Sequence, residues 1–123
     1  MPARPLVSVV DDDESVRESL PDLLRELGFE ARTFSSAEEF LDSESIDQTQ
    51  CLLLDIAMPG MSGPELHLEL VRQQRLIPVV FITANPAENI RPQLLQAGAV
   101  DYLTKPFSEA ALFDAVTSAL GEA

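Results

Sequence analysis

Short apolar runs alternate with segments of helical periodicity along the chain, and this alternation restricts the fold more than any other feature. The runs are rich in β-branched residues, and the continuous ones are typical of strands covered on both faces. They are Leu6–Val10, Glu30–Phe34, Gln50–Leu54, Pro78–Ile82 and Val100–Leu103. Five β-α units predict an α/β domain: a five-stranded parallel sheet with flavodoxin-like order 2-1-3-4-5 and helices on both faces.

Charge and composition exclude several classes of protein. A net charge of −13 repels phosphate backbones, so we expect no direct binding of nucleic acid by this domain. The one cysteine, Cys51, lies in an apolar run and is expected to be a small buried residue. No signal peptide and no membrane span is visible, and we expect a soluble protein of the cytoplasm.

Polar side chains occur where the predicted strands end. Asp11–Asp13 follow strand 1, Asp55 ends strand 3, Thr83 ends strand 4, and Lys105 follows strand 5. Function in open parallel sheets lies at the carboxyl ends of the strands, beside the switch point in strand order. The topology therefore predicts that these carboxylates, a hydroxyl and an ammonium group converge on one edge.

A cluster of carboxylates at such an edge is costly unless a cation binds it. Hard oxygen ligands on a shallow rim favour Mg²⁺, which keeps several waters. We expect Asp12 and Asp55 as direct ligands, Asp11 holding a coordinated water, and the backbone carbonyl of Ala57 as a third ligand. The simpler alternative is that the acidic run only caps the first helix, a role that we assign to Asp13 and Glu14.

Asp55 is also a candidate nucleophile. A carboxylate can accept a phosphoryl group, and the transition state needs positioning and charge neutralisation above all. Mg²⁺ and Lys105 would supply the neutralisation, and the Thr83 hydroxyl would donate a hydrogen bond to a phosphoryl oxygen.

Four segments together resemble the receiver domain of two-component response regulators, with most likeness to the FixJ type. They are "VVDDDESVR", "LLLDIAMPGMSGPEL", "FITA" and "GAVDYLTKPF", and the likeness extends from about Leu6 to Leu120. The resemblance implies that Asp55 is the phosphoacceptor and that Asp11 and Asp12 are the acidic Mg²⁺ pair. It also implies that Thr83 is the switch hydroxyl.

The same resemblance assigns roles at the fifth strand. Lys105 would pair with the phosphoryl group, with a cis peptide bond before Pro106. Tyr102 would be the switch aromatic, although a half-buried sheet residue with a hydrated hydroxyl fits the sequence equally well.

The function implied is that of a signalling switch in a phosphorelay. A sensor histidine kinase would phosphorylate Asp55, and the surface of predicted helix 4, strand 5 and helix 5 would then change to control homodimerisation and a DNA-binding transcription output. The domain would not be an enzyme, although it would catalyse its own phosphoryl transfer and dephosphorylation. The alternatives are a stand-alone receiver or a phosphorylation-independent pseudo-receiver. A phosphatase of the haloacid dehalogenase type is disfavoured because Ala57 stands where that family has a second Asp.

We expect residues 1–123 to form one receiver domain with no output domain within the chain. The FixJ-type motifs favour a fragment of a longer regulator over a stand-alone receiver.

Three positions lead to local expectations. Pro21 lies inside the first helical segment and predicts a bend near residues 17–20 or a fresh helix start at residues 19–21. Pro92 predicts a late start of helix 4 after a mobile loop at Pro86–Arg91. FixJ-type receivers commonly carry His-Gly-Asp where this chain has Asn85, Pro86 and Ala87. His67 is expected to be a surface or semi-exposed helix residue.

Overall fold

The computed structural model describes residues 4–84 and 98–121, and they form one parallel sheet with helices on both faces. The strands are β1 (Leu6–Val10), β2 (Glu30–Phe34), β3 (Cys51–Asp55), β4 (Val79–Thr83) and β5 (Asp101–Thr104). Their order is β2-β1-β3-β4-β5, with every neighbouring pair parallel. The predicted fold class and strand order are confirmed. Strands β3, β4 and β5 each begin and end one residue later than the apolar run that predicted them.

Helices cover both faces of this sheet. They are α1 (Glu14–Glu26), α2 (Ala37–Leu41), α3 (Gly63–Arg72) and α4 (Glu109–Ala119), and a 3₁₀ helix spans Glu44–Asp47. Helix α4 is the fifth of the helices predicted from sequence. The expectations for Asn85, Pro86–Arg91 and Pro92 lie outside the described residues.

The alternation of side chains along the strands divides the core into two layers. In β3, Cys51 and Leu53 face the layer that contains α1 and α4, whereas Leu52 and Leu54 face the layer of α2 and α3. All five residues of β3 are buried, as expected for a strand covered on both faces. Burial raises the pKa of the Cys51 thiol to about 12, which agrees with its predicted role as a small buried residue.

Helix α1 runs without interruption from Glu14 to Glu26, so the predicted fresh start at residues 19–21 is wrong. Pro21 lies in its interior and cannot donate the usual backbone hydrogen bond to the carbonyl of Arg17. The buried side chains of Leu20 and Leu24 anchor the helix to the sheet on either side of the proline. Tertiary packing therefore outweighs the local preference for a break.

Replacing Pro21 with alanine is expected to raise the free energy of unfolding by about 1 kcal/mol. Alanine restores the backbone donor and removes the steric conflict, and these gains are partly offset by the greater freedom of the unfolded chain. Urea denaturation of the two proteins measures the difference. An unchanged or lower free energy of unfolding would contradict this prediction, and it would show that the packing of α1 is adapted to the proline.

His67 is buried rather than surface-exposed, so that prediction is also wrong. Its side chain lies under α3 against Phe81 of β4, with ring centroids 5.7 Å apart in an edge-to-face arrangement. Burial lowers the pKa of His67 below its usual value.

No helix within residues 4–84 and 98–121 is long and apolar enough to cross a membrane.

Candidate functional site

Asp11 directly follows β1, and both its backbone and its side chain form hydrogen bonds. Its backbone N–H donates to the carbonyl of Phe34 over 3.1 Å, and its own carbonyl accepts from the guanidinium of Arg17 over 2.9 Å. One carboxylate oxygen accepts from the backbone N–H of Asp13 over 2.9 Å. The side chain is fully buried. A buried carboxylate is costly unless donors satisfy its oxygens, and here both oxygens have one.

Lys105 supplies the cation that neutralises Asp11. Its ammonium lies 2.9 Å from the other carboxylate oxygen of Asp11, and its backbone N–H donates to the carbonyl of Thr83 over 2.8 Å. The Lys105–Pro106 peptide bond is cis. Burial lowers the pKa of Lys105, but the hydrogen bond and the negative charge of Asp11 outweigh it, so the pKa lies above its usual value.

Asp55 is the last residue of β3, and its side chain is mostly buried beside the other acids. Its pKa is raised from 3.8 to about 7, first by burial and then by the charge of Asp11, while Lys105 acts in the opposite direction. A carboxyl group with this pKa gives up its proton reluctantly unless another positive charge is present. A cation bound beside Asp55 would therefore favour the charged form of this carboxyl group.

Carboxylate oxygens from Asp11, Asp12 and Asp55 lie within 4.8 Å of one another. Asp12 is exposed, whereas the other two are buried, so the cluster opens to solvent on one side. Three oxygen donors at an open edge fit Mg²⁺, which binds through few carboxylates and keeps part of its water. Burial raises the pKa of Asp55 most, and the charge of Asp11 raises it further, and a bound cation would offset both effects. The residues present thus fit the cation predicted from sequence.

The loop after β3 carries Ala57, whose backbone carbonyl was predicted as a further ligand. Ala57 is exposed, and Met58 is buried in the core on the α2 and α3 side. The loop ends in a capping box, in which the Ser62 hydroxyl accepts from the N–H of Glu65 and the Glu65 carboxylate accepts from the N–H of Ser62. This loop therefore leads from Asp55 into a firmly capped helix.

Thr83 and Tyr102 lie on neighbouring strands. Thr83 is the buried last residue of β4, and it pairs in register with Thr104 of β5. Tyr102 is half-buried and packs against the core on the α2 and α3 side, opposite Phe81. The fold therefore brings Asp11, Asp12, Asp55 and Lys105 into one cluster and places Thr83 at the same edge of the sheet.

Sequence reasoning assigned no role to Arg17 or Glu38, which both contact the backbone of this edge. Arg17 binds the carbonyl of Asp11, and Glu38 accepts from the N–H of Met61 over 3.1 Å. Arg17 stands six residues after Asp11, at the first turn of a helix that follows an acidic loop, and this spacing was a usable signal. Glu38 is 23 residues from its partner and left no such signal.

Comparison with known proteins places these features in one family. The family model "Response regulator receiver domain" matches residues 7–117. Nodulation protein W of Bradyrhizobium diazoefficiens is 44% identical over 114 residues, which cover 93% of this chain and 50% of that protein. The transcriptional regulatory protein FixJ of Azorhizobium caulinodans is 38% identical over 121 residues, covering 98% of this chain and 57% of that protein. The chain spans about half the length of these curated relatives.

A solved structure agrees with these matches. The structure titled response regulator StyR superimposes with a TM-score of 0.88 at 49% identity, covering 97% of this chain and 60% of that one.

Proposed function

The chain belongs to the response regulator receiver domain family, and from this premise we propose that Asp55 is its phosphoacceptor. Receiver domains are regulatory switches that sensor histidine kinases phosphorylate, and they are not conventional enzymes. The observation that carries the proposal is the position of Asp55 at the end of β3, beside Asp11, Asp12 and the ammonium of Lys105. The raised pKa of its carboxyl group supports the same role, because such groups concentrate at functional sites.

The proposed reaction moves one phosphoryl group. A carboxylate oxygen of Asp55 forms the new P–O bond, and the bond from phosphorus to the histidine nitrogen of the kinase breaks, so that the imidazole leaves. Asp11, Asp12, Asp55 and the carbonyl of Ala57 would hold Mg²⁺. That ion, when bound, supplies positive charge to the phosphoryl oxygens.

Lys105 and Thr83 complete the proposed chemistry. The ammonium of Lys105 exchanges its contact with Asp11 for one with a phosphoryl oxygen, and the Thr83 hydroxyl donates to another. The Lys105 bond replaces a charge-assisted contact that is already present with Asp11, whereas the bond from Thr83 to a charged phosphoryl oxygen is specific to the phosphorylated state and stabilises it. Attack of water on phosphorus would release inorganic phosphate and return Asp55 to its free carboxylate, and we propose that the same site catalyses this dephosphorylation.

Phosphorylation adds about −1.5 to −2 charges beside β4 and β5. We propose that movement of Thr83 towards this charge is accompanied by an inward turn of Tyr102, and that the surface around β5 and α4 then favours a homodimer. A shift from 1:99 to 99:1 in favour of the active form requires about 5.5 kcal/mol of differential stabilisation. We assign this stabilisation to the bonds that the phosphoryl group would form with Lys105, Thr83 and the cation.

The whole protein would act on transcription in the cytoplasm. The relatives named above are about twice as long as the matched region, and the FixJ relative is named a transcriptional regulatory protein. We propose that DNA binding belongs to an output domain outside residues 1–123, because a domain with a net charge of −13 repels DNA.

Intact mass measurement tests this proposal. After incubation with acetyl phosphate and Mg²⁺, the wild-type domain should gain one phosphoryl group, and EDTA should prevent the gain. Asp55→Asn should gain none, whereas Asp114→Asn on α4 should behave as wild type. A wild-type protein that stays unmodified would instead support a phosphorylation-independent pseudo-receiver.

A further inference from the structure

Three consecutive backbone amides fix the end of the loop that follows Asp55. The N–H of Met61 donates to the carboxylate of Glu38 over 3.1 Å, and the N–H of Ser62 donates to Glu65 over 3.0 Å. The N–H of Gly63 donates to the carbonyl of Ile56, also over 3.0 Å. The second and third bonds stay within the loop and its own helix. The bond to Glu38 is the one of these three that ties the loop to another element, α2.

The Glu38 carboxylate also lies against the residue before Met61. Gly60 has a φ of +76°, and a Cβ at this position would lie 3.1 Å from one oxygen of Glu38. The loop and the carboxylate are therefore in close contact over two successive residues. A side chain at Gly60 would crowd the Glu38 carboxylate, and the positive φ of Gly60 also favours glycine.

The backbone of Glu38 is well anchored although its side chain is exposed. Ser36 caps α2 by accepting from the N–H of Glu39 over 3.0 Å, and the buried ring of Phe40 packs edge-to-face on Phe34 with centroids 5.3 Å apart. Phe34 is also the residue whose carbonyl accepts from the N–H of Asp11. Helix α2 is thus packed against the end of β2, which is hydrogen-bonded to Asp11 of the acidic cluster.

We propose that Glu38 is a positioning residue for the cation site. Its carboxylate holds the backbone of the loop that carries Ala57 in one conformation relative to Asp55, and it thereby increases the affinity of the site for Mg²⁺. The inference rests on the proposed function, which assigns Ala57 and Asp55 to that site. Glu38 does not contact the reacting atoms, and it acts only through the loop.

The matched variants are Glu38→Ala, Glu38→Gln and Glu39→Ala. Glutamine keeps an oxygen that accepts from Met61, whereas alanine does not. Glu39→Ala removes the same charge from the same helix, but the side chain of Glu39 contacts Ser35 rather than the loop. Calorimetric titration with Mg²⁺ gives the dissociation constant, and amide hydrogen exchange by NMR reports on the N–H of Met61.

Glu38→Ala should weaken Mg²⁺ binding measurably and by at most about fivefold, the limit reached if the whole energy of one such hydrogen bond holds the loop in the binding conformation. It should also abolish the exchange protection of the Met61 amide. Glu38→Gln and Glu39→Ala should both bind Mg²⁺ within about twofold of wild type. Urea denaturation of every variant verifies that the fold is retained.

Two results would overturn the inference. One is Mg²⁺ affinity and Met61 protection in Glu38→Ala that match those of wild type. The other is an equal loss in Glu38→Gln and Glu38→Ala, since that would assign the effect to charge and not to the acceptor. Failure of the proposed function is separate: wild type would then take no phosphoryl group from acetyl phosphate, whatever the affinities of the Glu38 variants.

Discussion

Gly63→Ala is expected to destabilise the domain by about 3 kcal/mol. A Cβ at Gly63 would lie 2.2 Å from the backbone oxygen of Asp55 and 3.0 Å from the Cα of Ile56. Backbone atoms cannot rotate aside as a side chain can, so the start of α3 would have to move away from the end of β3. The same movement would distort the loop between Asp55 and α3.

Whether Gly63→Ala lowers or raises the free energy of unfolding distinguishes the steric clash from helix propensity. Gly63 is the first residue of α3, where a glycine-to-alanine change without a clash stabilises a helix by up to about 1 kcal/mol. Ala110→Gly, an exposed change in the first turn of α4, measures that propensity alone and should cost about 1 kcal/mol or less. Urea denaturation of both variants separates the two effects. If Gly63→Ala is more stable than wild type, the start of α3 can move away from the end of β3 without loss of stability, and the prediction is wrong.

Asp55→Asn is expected to stabilise the metal-free domain at pH 8 by about 1 to 3 kcal/mol. The folded state raises the pKa of Asp55 from 3.8 to about 7, so folding disfavours its charged form. The amide of asparagine has similar shape without charge, and it relieves the repulsion from Asp11. The gain therefore comes from removing a cost that the functional site imposes on stability.

The sign of the pH dependence follows from the same values. A carboxyl group with a raised pKa binds its proton more tightly in the folded state, so its contribution to stability is most favourable below pH 3.8. That contribution falls as the pH rises through the interval up to about 7 and stays constant above it. The difference between Asp55→Asn and wild type should thus be small near pH 4 and largest at pH 8, in EDTA. An equal difference at both pH values would contradict the assignment.

Magnesium should reduce this difference in stability between Asp55→Asn and wild type. A ligand that binds only the folded state raises the free energy of unfolding. Well above the dissociation constant, this gain grows with the logarithm of the ligand concentration. The wild-type domain should therefore gain more thermal stability from Mg²⁺ than Asp55→Asn does. An equal gain in both proteins would remove Asp55 from the cation site.

The sequence was sufficient for the sheet because each strand has a short apolar run, continuous in β1, β3 and β4 and alternating in β2, and each run is followed by a polar residue. Asp55 and Thr83 could be placed at one edge because parallel strands all end on the same side. The capping box of Ser62 and Glu65 was not predicted, although its two partners are three residues apart and form a local pattern.

The errors arose where tertiary packing decides the result. Pro21 favours a break locally, but buried leucines on both sides keep α1 continuous. His67 is polar, yet the face of α3 that it occupies is also that of Leu66 and Leu70, so it is buried against Phe81. The contact of Glu38 with Met61 was beyond prediction for a similar reason, because a hydrogen bond across 23 residues has no local pattern.

The most direct test of the central claim is to locate the phosphoryl group chemically. Borohydride reduces an aspartyl phosphate to homoserine, and peptide sequencing by mass spectrometry then identifies the modified residue. After treatment with acetyl phosphate and Mg²⁺, homoserine is expected at position 55 and nowhere else. Homoserine at position 11 or 12, or its absence from a protein that has gained phosphate, would contradict the assignment of Asp55 as the phosphoacceptor.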